Sequence, residues 1–288
     1  MDSGVDRGGM RVTVTGEQLH ILCGIAEAAG REVMTVYGSD FTSWRKHDQS
    51  SLTEADLRAD AVIRQGLTAA FPKVFILSEE SSSPAVEDAG TFFLVDPLDG
   101  TKEFLKRNDE FTVNIALVHR GVPVAGVVLA PALGELFYAA PGLGAWKRSA
   151  AGTVPLQVAK YSAARPLRVI GSRSHGGEAL AAWLASLPQE HSFVAAGSSL
   201  KFCRIAEGQA DIYPRFGPTS QWDTAAAQCV LEGAGGAVTD LAGAPLRYGL
   251  DRPVLNPEFV AVGDLGLNRL AMCPRDFAQG LGLDGSRC

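Results

Sequence analysis

Residues 91–101 read Thr91-Phe-Phe-Leu-Val-Asp96-Pro-Leu-Asp99-Gly-Thr101, an apolar run that stops abruptly at two carboxylates. The run predicts a strand over Thr91–Val95, and Pro97 interrupts it because proline has no N–H to give a ladder. Acids at a strand end project from the sheet edge, where ligands bind in open sheets. If Asp99 opens a helical turn, Asp96 and Asp99 face the same side, with Pro97 fixing the backbone between them. The Leu98 carbonyl is then exposed as a further hard oxygen. Gly100 lets the chain approach a ligand closely, and the amides of Thr101 and Lys102 form a helix start suited to phosphate.

The same grammar recurs on either side. Val74–Leu77 predicts a strand ending at Ser78-Glu79-Glu80, and Trp222-Asp223 opens a predicted helix. An Asp-x-x-Asp pair alone is ordinary loop and cap chemistry. Joined to Glu79 and Asp223 at equivalent ends, Asp96 and Asp99 read as parts of one acidic cluster. Acids gathered in this way repel unless a cation offsets them, and an all-oxygen donor set selects magnesium, manganese or calcium over zinc.

Before this stretch the periodicity is helical. Thr15–Gln18 fits a capping box, followed by an apolar stripe at Leu19, Leu22, Ile25, Ala26, Ala29 and Val33 that ends near Gly38. A second amphipathic helix starts near Thr53 and stops at Pro72. After it, Thr112–Val118, Val122–Leu129, Glu135–Tyr138 and Ala145–Lys147 alternate with tight turns, which predicts an antiparallel meander. Ser149–Pro166, rich in small residues, reads as a connection. Beyond it, strands (Leu167–Ile170, Phe193–Ala196, Asp211–Tyr213, Ala237–Thr239, Phe259–Val262) mix with helices (Glu178–Leu187, Leu200–Glu207, Thr224–Glu232).

The fold class expected is therefore an α+β N-terminal half with an antiparallel sheet, followed by an α/β C-terminal half. The corresponding division is a flexible leader at 1–14, an α+β domain at 15–165 carrying most of the acids, an α/β substrate-binding domain at 166–265 and a peripheral tail at 266–288. Ser81-Ser-Ser-Pro84 reads as a mobile loop.

Composition excludes several classes. A net charge of −6 over 288 residues disfavours a non-specific grip on a nucleic acid polymer or an acidic membrane, but not a small anion in a local basic pocket. Five cysteines without C-x-x-C spacing indicate neither a disulfide framework nor a zinc site and suit a reducing cytoplasm. The leader has no apolar core and does not read as a signal peptide. No uncharged apolar run reaches the ~20 residues of a spanning helix.

Asp96-Pro-Leu-Asp-Gly-Thr101 together with Trp222-Asp-Thr-Ala-Ala226 resembles the signature pair of the inositol monophosphatase superfamily, magnesium-dependent and lithium-sensitive phosphatases. The longer strings Asp96–Phe104, Phe111-Thr-Val-Asn-Ile-Ala116 and Gly197-Ser-Ser-Leu-Lys-Phe-Cys203 resemble its bacterial 3′(2′),5′-bisphosphate nucleotidase branch. The similarity runs from about Thr15 to about Val262. It implies the layered α-β-α-β-α sandwich of that superfamily and the fructose-bisphosphatases. It also implies a metal site made of Glu79, Asp96, the Leu98 carbonyl, Asp99 and Asp223. The expected complement is two or three Mg2+ ions, with Mn2+ a substitute and Ca2+ and Li+ inhibitory.

By the same resemblance, Thr101 and Asp56 map onto the pair that activates the attacking water. Read alone, Asp56 would be an ordinary acid in the first turn of a helix. Substrate contacts map onto Glu79, Leu98, Asp99, Gly100, Thr101 and Asp223, joined by His175, Ser198, Lys201 and Arg215. Lys201 and Arg215 stand where inositol phosphatases carry an apolar residue and a glutamate. Two cations in place of those residues fit a substrate with a second phosphate, a small anionic nucleotide. The alternatives are an inositol or sugar phosphate phosphatase with the same metals, and a non-catalytic nucleotide or metal sensor, which would need no water-activating pair. A cytoplasmic location is implied, with a peripheral inner-membrane one, as in bacterial relatives, as the alternative. Oligomeric state is not legible.

Overall fold

The computed structural model describes residues 13–40, 43–45, 51–81, 90–172 and 177–267. Residues 1–12 of the leader, most of the tail, Ser82–Pro84 and His175 lie outside the described residues.

Helix α1 (Gly16–Tyr37) begins at the expected capping box. Gln18 N–H donates to Thr15 Oγ1 at 3.2 Å, and Thr15 N–H donates to Gln18 Oε1 at 2.9 Å. A short hairpin, β1 (Ser43–Arg45) and β2 (Ser51–Thr53), precedes α2 (Glu54–Ala70), whose N-cap is Thr53. That hairpin was not predicted: its strands are three residues each and mostly polar, so they carry no alternation to detect.

The larger sheet has the order β3-β4-β5-β6-β7-β8-β9. Its strands are β3 (Phe75–Ser78), β4 (Thr91–Asp99), β5 (Thr112–His119), β6 (Val122–Ala130), β7 (Glu135–Ala140), β8 (Gly144–Ser149) and β9 (Gly152–Pro155). A short helix, α3 (Thr101–Leu105), leaves the end of β4. From β4 to β9 the pairing is antiparallel, and the meander expected from Thr112 to Lys147 is its β5–β8 part. Only β3 runs parallel to its neighbour, β4. Strand β9 falls inside the segment read as a connection; it is fully exposed, so burial gave it no apolar signature.

The smaller sheet has the order β11-β10-β12-β14-β13, with β10 (Leu167–Ser172), β11 (His191–Ala196), β12 (Ile212–Arg215), β13 (Ala237–Asp240) and β14 (Phe259–Val262). Strand β10 is parallel to β11 and β12, whereas β14 is antiparallel to β12 and β13. Helices α4 (Gly177–Ser186), α5 (Leu200–Ala206) and α6 (Gln221–Gly233) complete this half.

Three apolar clusters define the layers. Helices α1 and α2 cover one face of the large sheet, with Leu22, Val33 and Ile63 meeting Phe93, Val95 and Ile115. The other face, including Phe92 and Leu94, packs with α5, α6 and one side of the small sheet. On the far side of the small sheet, Leu180 and Trp183 of α4 meet Val169, Ile212 and Val260. Successive residues of β4 thus enter different cores, which is why its sequence is a continuous apolar run instead of an alternating one. The result is an α-β-α-β-α sandwich in which α6 is walled in by both sheets.

The approach of α6 to the large sheet is as close as glycine permits. A Cβ on Gly126 of β6 would lie 2.3 Å from the Ala226 carbonyl and 2.7 Å from Cys229 Cβ. Cys23, Cys203 and Cys229 are buried free thiols. Among the described residues no helix is long and apolar enough to cross a membrane.

Candidate active site

Strand β4 brings Asp96 and Asp99 together by a route the sequence did not reveal. In a regular strand, residues three apart face opposite sides. Here Asp96 pairs with Asn114 but Asp99 pairs with Thr112, so one extra residue is accommodated at Pro97–Leu98. This bulge turns both carboxylates toward one cavity. The helical turn expected at Asp99 starts instead at Thr101, after Gly100 in a left-handed conformation (φ 91°). Leu98 N–H donates to Asp96 Oδ1 at 3.0 Å, closing the bulge.

The cavity has a volume of about 640 Å3 and lies between the two sheets. Glu79, Asp96, Leu98, Asp99, Gly100, Thr101, Ser198, Lys201, Arg215 and Asp223 all line it. Glu79 sits just past β3, its N–H bonded to the Val95 carbonyl at 3.0 Å. Asp223 is in the first turn of α6, where it accepts the Ser220 N–H at 2.8 Å. The wedge of α6 between the sheets carries this acid up to those of β4.

The acids act on one another. Asp96, 1% exposed, has its pKa raised well above the carboxylate range, by burial first and then by Glu79, Asp99, Asp223 and Asp56. Asp223 is likewise raised by burial and by Asp99, against the opposing pull of the Ser220 amide. Asp99 is pushed up to about 6 by burial, although Lys201 and the Ser199 amide oppose the rise. Buried like charges of this kind call for a cation. The donors are all oxygens, which fits a hard divalent ion. Among the described residues, no three acidic, histidine or cysteine side chains form a ready-made coordination group. The fit therefore rests on donor chemistry and convergence.

Asp56 is 2% exposed, and both the Thr53 N–H (2.8 Å) and the Thr53 hydroxyl (2.6 Å) donate to its Oδ2. It is a capping acid, yet its charge also reaches Asp96. Helix α3 packs against β2, which leads into the Thr53 cap of α2; Thr101 lines the cavity, and Asp56 lies behind that lining. The Thr101 hydroxyl faces the Leu98 carbonyl at 3.4 Å.

Two cations line the same cavity, close enough for Lys201 to pull on Asp99 and Arg215 on Asp223. Lys201 is 5% exposed, not a solvated helix position; its ammonium donates to the Ala196 and Ser198 carbonyls and lies 5.3 Å from the Tyr213 ring centroid. Burial and then Arg215 lower its pKa to about 8, against the pull of Asp99. Arg215, 7% exposed, donates to the carbonyls of Gly217 (3.1 Å) and Pro218 (2.7 Å). Ser198 has φ 47°, and Gly197 N–H donates to Glu110 Oε2 at 2.9 Å, tying this turn to the other half. Ser199 Oγ donates to Asn114 Oδ1 at 2.8 Å, and Asn114 reaches Asp99 at 3.5 Å.

Several lining residues were not singled out in the sequence. Tyr213, Phe259 and Leu255 come from separate segments, and Ser172 ends β10. Phe259 pairs directly opposite Arg215 across β12 and β14, a register that no local pattern encodes.

Residues 16–266 match the inositol monophosphatase family. The chain is 48% identical over 246 residues to a Salmonella typhimurium protein named 3′(2′),5′-bisphosphate nucleotidase CysQ, covering 84% of this chain and 98% of that protein. The protein of the same name from Escherichia coli strain K12 is 46% identical over 244 residues, 83% of this chain and 96% of that one. Crystalline CysQ from Bacteroides thetaiotaomicron superposes with a TM-score of 0.74 at 35% identity, covering 86% of this chain and 97% of that chain. Since the matched span takes in both sheets and every acid facing the cavity, the chain belongs to the inositol monophosphatase family.

Proposed function

We propose that this chain is a magnesium-dependent 3′(2′),5′-bisphosphate nucleotidase that hydrolyses 3′-phosphoadenosine 5′-phosphate to AMP and phosphate. The observation that carries this reading is the pairing of a buried acid cluster with two buried cations, Lys201 and Arg215, in the lining of one cavity. The acids suit a metal and the reacting phosphate; the cations suit a second phosphate. Near-full-length identity to proteins named as such nucleotidases supports it.

Glu79, Asp96, the Leu98 carbonyl, Asp99 and Asp223 would hold Mg2+, two or three ions, with Mn2+ able to substitute and Ca2+ and Li+ inhibitory. When bound, the metal supplies charge neutralisation at the phosphate and a more acidic water. The chain's own groups do the rest. Thr101 Oγ1 orients the attacking water in line with the phosphate, and Asp56, anchored by Thr53, takes up its proton through that hydroxyl. The amides of Gly100, Thr101 and Lys102 hold phosphate oxygens as charge builds on them. Lys201, Arg215 and Ser198 fix the second phosphate, so the ester bond is presented in one orientation. The contact expected from His175 belongs to the same proposal.

Phosphate release from a panel of esters, with and without Mg2+, tests the reading. The adenosine bisphosphate should lead the panel, and Asp99→Asn should lose on the order of a thousandfold or more in kcat. Faster release from inositol 1-phosphate would overturn the substrate assignment. Tight magnesium-dependent nucleotide binding without phosphate release would instead establish a sensor.

A further inference from the structure

Helix α2 carries a second buried acid one turn beyond Asp56, and the mechanism does not use it. Asp60 is 7% exposed. Its Oδ2 accepts the Ser81 hydroxyl at 2.6 Å, while Oδ1 takes no hydrogen bond from the described residues. Arg64, one further turn along α2, donates to the same Ser81 oxygen at 3.1 Å. The hydroxyl therefore receives from one side and gives to the other, which fixes its direction.

Ser81 closes the turn that bears Glu79. Its carbonyl accepts the Ser78 N–H at 2.8 Å, and within the turn Glu80 N–H reaches Ser78 Oγ at 3.4 Å. On the other flank, Glu79 N–H is bonded to Val95, the residue before Asp96. The turn is thus pinned to β4 on one side and to α2 on the other. The contact that Asp60 makes with this turn is the hydrogen bond from Ser81.

We propose that Asp60, acting through Ser81, is a positioning residue that aims Glu79 into the acid cluster, so that α2 sets both Asp56 and Glu79. This rests on the reading of Glu79 as a magnesium ligand. Groups that orient a ligand from behind commonly contribute 10–100-fold in metal affinity. Because the proposed role runs through the Ser81 hydrogen bond, an amide at position 60, whose oxygen can still accept that hydroxyl, should preserve it.

The test is Mg2+ binding to the full chain by titration calorimetry, with the metal alone as probe. Asp60→Ala and Ser81→Ala should each weaken Mg2+ about tenfold, the double variant no further, and Asp60→Asn should stay within about twofold of the parent. KM for the bisphosphonucleotide at saturating Mg2+ should move little in all of them. Ser81→Ala leaves α2 intact and so guards against a folding defect in Asp60→Ala. Unchanged Mg2+ affinity in both alanine variants, additive losses, or an Asp60→Asn as weak as Asp60→Ala would each overturn the proposal. Glu79→Gln separates the two layers. If it binds Mg2+ like the parent, the metal reading fails and this inference with it; if it binds weakly while both alanine variants do not, only the positioning role fails.

Discussion

Thr53 grips one oxygen of Asp56 twice, through its amide and its hydroxyl, and the same hydroxyl also accepts the Ala55 N–H at 3.2 Å. One side chain therefore caps α2 and orients the proposed proton acceptor. Thr53→Val keeps the shape and removes the hydroxyl. The expected loss of stability is about 1–2 kcal/mol, since a cap and a buried hydrogen bond disappear together. If Asp56 takes the water's proton, kcat should fall about tenfold while KM stays close to the parent value, as steady-state kinetics would report. A drop in melting temperature with kcat intact would show that the anchor serves the helix alone. The sequence displayed a helix start near Thr53 and an acid, Asp56, in its first turn. It could not display the double grip of Thr53 on that acid, which is a matter of backbone and side-chain geometry.

At the scale of elements, Gly126 governs how far α6 can advance toward the large sheet. Gly126→Ala would force a Cβ to within 2.3 Å of the Ala226 carbonyl, and the neighbour is backbone, not a side-chain tip that could swing aside. The expected cost is about 3 kcal/mol, at the upper end for overpacking, read as a lower denaturation midpoint. Because Asp223 rides on the same helix, Mg2+ affinity should fall with stability. Wild-type affinity in this variant would mean that Asp223 is placed by its own turn and not by the helix. What was legible at this scale followed burial. The two-sided apolar run of β4 and the stripe of α1 were plain, since each buried face leaves a period in the chain. The polar β1–β2 hairpin and the exposed β9 left none. The bulge at Pro97–Leu98 also escaped, because a bulge is defined by a partner strand, and Asp99 facing Thr112 is a fact about two segments.

For the whole molecule, two sets of carboxylates pull stability in opposite directions with pH. Asp211 is held down at about 2: burial would raise it, but hydrogen bonds from Arg165 and Arg168 prevail. A depressed acid stabilises the fold above its unfolded value of 3.8 and ceases to do so as pH falls through about 2. Asp96, Asp99 and Asp223 are raised. Without metal, their folded forms keep protons that the unfolded chain has released, so that contribution is complete below 3.8 and is lost as pH climbs through the folded values, about 6 for Asp99. Metal-free protein should accordingly melt highest near about pH 4–5 and progressively lower toward neutrality. Added Mg2+ should raise the neutral melting temperature most, because it binds the ionised acids. Scanning calorimetry with chelator across pH 3–9, roughly the span of these titrations, checks this. A metal-free melting temperature that rises steadily from acid to neutral pH would contradict the acid cluster as drawn.

The placement of α6 has a further consequence for tempo and for change. A helix with a sheet on either flank has no direction in which to swing, so Asp223 cannot retreat to let product out without shearing the interior. Opening has to come from the rim, where Ser78–Ser81, Gly197–Ser199 and Gly217–Ser220 are short turns held by a few bonds each. Those turns are also where a new leaving group could be accommodated in a descendant of this chain, since they can be rebuilt while the acid cluster stays as it is.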